Sequence, residues 1–165
     1  MSHNNSASVY NIPISAASLT TANAWDIFTV TPDSSSRVEL VRIQLQLVST
    51  AYTVFPAIGV SLMRGSTTAS STGTLATPIN IKGWTGALAA SMTANSLSSS
   101  LLSTTSATVV YVGAFDANGS FCYEPCDKPI MAVSQRHNLR SSIPQVGATV
   151  WGTMTVREIG KGLPT

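Results

Sequence analysis

The stretch FCYEPCDKP (121–129) holds both cysteines of the chain, Cys122 and Cys126, with three residues between them. Zinc asks for four ligands, usually two such pairs or added histidines, so one pair is half a site. A thioredoxin-like redox motif needs two intervening residues and an α/β context, and both are missing. Pro125 works against a regular helix here. A tight loop could bring the two Cα atoms to the roughly 5.5 Å that a bridge requires. So short a cross-link would stabilise by on the order of 2 kcal/mol on the chain-entropy argument. Two readings stay open, a Cys122–Cys126 disulfide or two reduced thiols, and neither is catalytic. Glu124 and Asp127 flank the pair and could approach a calcium ion with nearby carbonyls, but the chain has no D-x-D-x-D-G loop.

The remaining titratable groups are sparse. There are seven carboxylates, Asp26, Asp33, Glu39, Asp116, Glu124, Asp127 and Glu158, and two histidines, His3 and His137. A nucleophilic triad needs a Ser, a His and a carboxylate within reach of one another. Serines abound, yet no G-x-S-x-G elbow marks one out. His3 lies in a polar N-terminal run, and His137 reads as a solvated residue at a strand end between Arg136 and Asn138. Asp33 and Asp116 stand where turns favour aspartate. Phosphate-binding glycine loops are absent. The expectation is a protein that is not an enzyme, with no catalytic, cofactor-binding or metal-ligating residue and no cofactor.

Composition points the same way. Of 165 residues only 10% are charged, against roughly 25% in a typical soluble domain. Serine and threonine fill 44 positions. A free monomer relies on surface charge for solubility, so a chain this neutral, with mean hydropathy +0.23, suggests a surface covered by partners. The net charge is +2, and Arg136, His137 and Arg140 form the one local basic cluster. A nucleic-acid binder would show a basic stripe with aromatic residues among it, so no nucleic-acid partner is expected. Neither a secretory leader nor an apolar run of membrane-spanning length is visible, so synthesis in a cytoplasm and no membrane association are expected.

What positions these side chains is a succession of strands. Residues 1–8 read as a flexible arm, with Ser2, His3, Asn4, Asn5, Ser6, Ala7 and Ser8 as a candidate partner-binding segment. Structure is expected over 9–159 as one domain, with a tail at 160–165. VYNIPIS (9–15) is extended, and Pro13 suggests an edge. WDIFTVTP (25–32) alternates. VELVRIQLQLVS (38–49) is the clearest strand, placing Val41, Ile43, Leu45 and Leu47 on one face and Arg42, Gln44 and Gln46 on the other. IGVSLMRG (58–65) turns Ile58, Val60 and Leu62 inward. STTASSTGTLATP (66–78) reads as a loop, INIKGW (79–84) as a short extended piece, and Leu88 to Asn95 as a weak strand. ATVVYVGAF (107–115) is apolar on both faces, the mark of a central strand or of one covered by a neighbouring subunit. DANG (116–119) is a tight-hairpin turn, and PIMAVSQRH (129–137) is a further strand. GATVWGTMTVREI (147–159) sets Ala148, Val150, Met154 and Val156 on one side, with Trp151 packed on the other. About eight or nine short strands with Gly/Pro/Asn punctuation predict an all-β sandwich or jelly roll.

The strings VYNIPIS, WDIFTVTP, VELVRIQL, SLMRGSTTASSTGTLATP and GTMTVREIG, in that order, resemble a group of small β-rich proteins of tailed bacteriophages and prophages. Those proteins open with a V-Y-x-I-P-like strand, continue with D-L/I-F-x-L/V-T-P, carry an R-G-x-T-T loop ending in T-P, and close with G-T-hydrophobic-x-V-x-E-I. The likeness spans residues 9–159 and matches least over 83–105. Its motifs are structural and carry no catalytic residues. Taken with the low charge, the resemblance leads to an expected role as a virion protein, a capsid decoration or cement protein on the head. Its expected partners are itself, as a homo-oligomer with a trimer favoured, and the phage major capsid protein. The alternatives are a tail, neck or fibre-base β-domain, and a carbohydrate-binding sandwich presenting Trp84 and Trp151.

Overall fold

The computed structural model describes residues 8–34, 36–49, 57–66, 73–81, 90, 92–99, 101, 106–131 and 135–159. Twelve strands lie among them: β1 (Ser8–Leu19), β2 (Trp25–Thr31), β3 (Arg37–Ser49), β4 (Ala57–Ser66), β5 (Thr74–Ala76), β6 (Ile79–Asn80), β7 (Thr93–Ser98), β8 (Thr108–Asp116), β9 (Ser120–Tyr123), β10 (Ile130–Met131), β11 (Arg136–Ser141) and β12 (Ala148–Ile159). They form two six-stranded antiparallel sheets. Sheet A runs β10-β3-β12-β1-β6, with β9 also on β3, and sheet B runs β5-β7-β2-β11-β4-β8. The all-β sandwich is therefore as the alternation predicts. The strands beyond those expected are β5, inside the 66–78 loop, β9, inside the cysteine stretch read as a loop, and β10, split from the 129–137 strand; each is two to four residues, too short to leave a periodic trace.

The core is made by the inner faces of the two sheets. From sheet A come Tyr10, Ile12 and Ile14 of β1, Ile43, Leu45 and Leu47 of β3, and Val150, Met154 and Val156 of β12; from sheet B come Phe28, Val30, Ile58, Leu62 and Leu139. Ile58, Val60 and Leu62 point inward as their spacing predicts. In β3 the phase changes partway. Thr155 faces Arg42 while Val156 faces Leu40, so Val41 is the extra residue of a bulge. Val38 and Leu40 are buried before it and Ile43, Leu45 and Leu47 after it, whereas Val41 itself is half-buried and off the inner face.

Pro13 sits as its chemistry requires. The Val9 carbonyl accepts from the Ile81 N–H at 2.9 Å, so odd-numbered backbone groups of β1 turn toward β6. β6 pairs with Tyr10 and Asn11, which leaves position 13 beyond its reach. The missing N–H thus costs no ladder bond, and β1 is an edge at this point.

Several boundaries differ from expectation. Ser8 is the first residue of β1, opposite Glu158, rather than part of an arm; residues 2–7 lie outside the described residues. Part of the 66–78 loop is strand β5. The weak strand expected over 88–95 is β7, shifted to Thr93–Ser98, and Leu88 lies outside the described residues. The 129–137 segment is two strands in different sheets, β10 in A and the start of β11 in B. The turn at Asp116 forms as expected, with the Asn118 N–H donating to Asp116 Oδ1 at 2.8 Å and the Gly119 N–H to the Asp116 carbonyl at 2.9 Å. It is not a hairpin, because β8 pairs with β4 in sheet B and β9 with β3 in sheet A. It is a corner that carries the chain across the sandwich, fastened by the Ser49 N–H donating to Asn118 Oδ1 at 2.7 Å.

Candidate functional site

Cys122, at the third position of β9, and Cys126, in the bend that follows, are both exposed, unbridged thiols. Glu124 and Asp127 beside them are exposed as well. Among the described residues no three His, Cys, Asp or Glu side chains gather into a cluster that could hold a metal ion.

His137 is not a solvated loop residue. It lies in β11 opposite Val30 and Arg64, on the inner face with Leu139, and has no exposed surface. Its Nδ1 lies 3.4 Å from the Met63 carbonyl, and Nε2 is buried without a hydrogen-bond partner. Burial pulls its pKa from 6.5 down to about 4; the Met63 carbonyl opposes this, the Arg64 charge adds to it, and the Pro129 carbonyl opposes it. A neutral, enclosed imidazole is a packing residue here. Sequence reading missed it because Arg136, Asn138 and Arg140 look like solvated neighbours, whereas they form the opposite face of the same strand.

That opposite face holds a buried ion pair. Asp26 Oδ1 accepts from Arg140 Nε at 2.7 Å and from Asn138 Nδ2 at 3.0 Å, and Asp26 Oδ2 accepts from Arg140 Nη2 at 3.1 Å. The geometry is a two-pronged guanidinium–carboxylate contact, with the Asp26 side chain fully buried. A register shift places Asp26 opposite Arg140 while Phe28 faces Leu139, making Ile27 the extra residue of a bulge. Arg136 Nε donates to Thr31 Oγ1 at 3.0 Å, while its Nη1 is buried without a hydrogen-bond partner. Glu39 pairs with Arg157 at 3.1 Å. Glu158, the other buried carboxylate, lies near the Tyr10 hydroxyl, whose pKa is raised first by burial and also by that charge, against a lowering hydrogen bond from Ser8.

Two surfaces stand out among the described residues. The first is the β8 edge of sheet B, which pairs with no further described strand. β8 is an outermost strand of that sheet rather than a central one, and Val109 is 53% and Val112 71% exposed. Its inner face packs: Tyr111 stacks on Tyr123 with ring centroids 4.4 Å apart, and Phe115 lies 5.3 Å from Phe121. The Tyr111 ring lies where a side chain at Gly113 would stand, so any larger residue there would displace the ring.

The second surface is the outer face of sheet A. Trp151, expected to be packed, is 38% exposed; Trp84 lies outside the described residues. Register sets Trp151 beside Gln46 and Gln46 beside Ser120, and in the next row Thr153 beside Gln44 and Gln44 beside Cys122. These side chains line a shallow depression of about 340 Å3. A separate depression of about 510 Å3, lined by Arg64, Thr108, Asp127 and Lys128 among others, lies between the start of β8 and the β9–β10 connection. Comparison with known protein families, with curated proteins and with solved structures finds no match for this chain.

Proposed function

We propose that this chain is a non-enzymatic structural protein that works by assembly: a bacteriophage capsid decoration protein that self-associates on the head and bridges major capsid proteins. The observation that carries the assembly reading is the β8 edge. It is nine residues long, TVVYVGAFD, with no Lys, Arg or Pro and a single charge at its last position. Soluble monomers guard such edges with charge, proline, bulges or short length, because the unpaired N–H and C=O groups template further pairing; of these β8 has one bulge, at Val110, and its terminal Asp116. Here the edge is long and its outward valines add apolar area, so a second strand is the natural cover. The placement on a phage head is supported by the resemblance of the strand motifs to tailed-phage proteins and by the low charge, which suits close packing of like copies.

Sedimentation across a wide concentration range tests assembly. The wild-type protein is expected to be oligomeric, with a trimer the first form to look for, and Val112→Lys to shift it toward monomer with the fold intact. A wild-type chain that stays monomeric at high concentration refutes self-association. Quantitative mass spectrometry of purified particles tests placement: hundreds of copies per virion support a decoration role, a handful move the protein to the tail, neck or fibre base, and none removes it from the virion.

A further inference from the structure

We propose that the outer face of sheet A is a binding site for a neutral oligosaccharide, with Trp151 as the stacking platform and Gln44 and Gln46 as its hydrogen-bonding arms. The site goes beyond the assembly role and is built from different strands than the β8 edge. Trp151 stands in β12, which is paired on one side to β3 and on the other to β1. The indole is thus fixed by a rigid sheet rather than carried on a loop, the condition for a pre-organised contact. Beside it β1 bulges: Ile14 faces Gly152 and Ala17 faces Val150, so Ser15 and Ala16 together oppose the single residue Trp151. Ala16 takes φ +44 there, a left-handed conformation unusual for alanine. Both bulge residues are exposed. Bulges recur where a sheet re-aims a side chain beside a functional site.

The chemistry of the lining selects the occupant. Gln44, Gln46, Ser120, Cys122, Trp151 and Thr153 include no charged side chain. The two amides each supply two N–H donors and a carbonyl acceptor, and the hydroxyls do both. A pyranose ring presents a C–H face that stacks on an aromatic plane and an equatorial belt of hydroxyls that both donate and accept. An anionic or cationic ligand would find no countercharge on this lining, which favours a neutral sugar. The depression lies near the lower end of ligand-pocket volumes, roughly 300–1,000 Å3, and it is shallow. That suits a few rings of a longer glycan lying across the strands.

The test is titration of the purified protein with cellohexaose, maltohexaose and N-acetylchitohexaose, read by tryptophan fluorescence and by NMR shifts of the Gln44 and Gln46 side-chain amides. At least one probe is expected to saturate in the millimolar range or tighter. Trp151→Ala is expected to weaken it about tenfold or more, equivalent to about 1.4 kcal/mol. Trp151→Phe should retain most of the binding, Gln46→Ala should weaken it without changing thermal stability, and Val112→Lys should leave it unchanged. The proposal is overturned if none of the three probes saturates at millimolar concentration, or if Gln46→Ala and Trp151→Ala bind as tightly as the wild type.

Discussion

His137 makes the stability of this protein depend on mild acid. The unfolded chain takes up a proton on this imidazole near pH 6.5, whereas the folded one resists until about pH 4. Between those values the unfolded state binds more protons, so stability rises with pH across the window and falls as pH drops through it. The contribution is complete above pH 6.5 and fully lost below pH 4. It amounts to about 3 kcal/mol, at roughly 1.4 kcal/mol per pH unit. Urea midpoints measured from pH 7.5 to 4 should therefore decline in the wild type and decline less in His137→Gln. Equal slopes would mean the imidazole titrates normally and is not enclosed. The Asp26–Arg140 pair supplies a second test at this scale. Arg140→Ala strips the guanidinium from a fully buried carboxylate and should cost about 3 kcal/mol or more, because an isolated buried charge is penalised more than the pair is worth. Asp26→Asn combined with Arg140→Leu should recover part of that loss. A cost for Arg140→Ala below about 1 kcal/mol, the ordinary value of an exposed pair, would place Asp26 in contact with water.

Where β12 meets its neighbours, the backbone sets opposite demands on two small residues. At Gly152 an added Cβ would stand 2.5 Å from the Gln44 carbonyl oxygen and 2.5 Å from Leu45 Cδ2. Neither backbone nor packed leucine yields cheaply, so Gly152→Ala should lose about 1–3 kcal/mol, as over-packing does. At Ala16 the left-handed backbone carries a cost that glycine would not, of roughly 1–2 kcal/mol, partly offset by glycine's greater freedom in the unfolded chain. Ala16→Gly should therefore leave the melting temperature unchanged or raised, while glycine at half-buried Ala17 next to it should lower it. The reverse order would show that the bulge is absent in solution. Bulges of this kind also explain what the amino-acid pattern could and could not convey. Period-two alternation revealed β2, β3, β4 and β12 and the inward set Ile58, Val60 and Leu62, because half-buried strands write their faces directly into the order of residues. The same rule misplaced Val41, since one inserted residue reverses every face beyond it, and the adjoining Leu40-Val41 was the available sign. For β8 the pattern left open a central strand or one covered by another subunit, and the sheet order removes only the first, because apolar residues on both faces look alike whatever lies outside. Trp151 was read as packed because it stands in a strand, but its position in β12 lies on the outer face of sheet A, where it is 38% exposed. The polar members of its face, Gln44 and Gln46, were legible as outward but did not by themselves disclose a row that only register assembles.

At the scale of the whole molecule, the order of strands in sheet A ties folding to the end of the chain. β12 is the last strand, yet it lies between β3 and β1 with long registers on both sides. Without it, among the described residues β1 stays paired only to the two-residue β6, and β3 only to the short β9 and β10. Val150, Met154 and Val156 would also leave the core. Neither sheet can then cover the other, because half of a sandwich cannot bury its inner face alone. A chain ending at residue 147 is expected to show no cooperative urea transition and no dispersed amide spectrum. A synthetic 148–159 strand added in trans should restore both if the remaining strands keep a receptive groove between β1 and β3. This topology also makes folding slow for the chain's size, since its central pairings join residues far apart in sequence. Refolding is expected on a millisecond-to-second scale, with Met154→Ala in the central strand slowing it more than a deletion of equal size at the β5 edge. A truncated chain that still unfolds cooperatively would show that sheet B and the β1–β3 region form a core without β12, and the antiparallel order assigned to sheet A would be wrong.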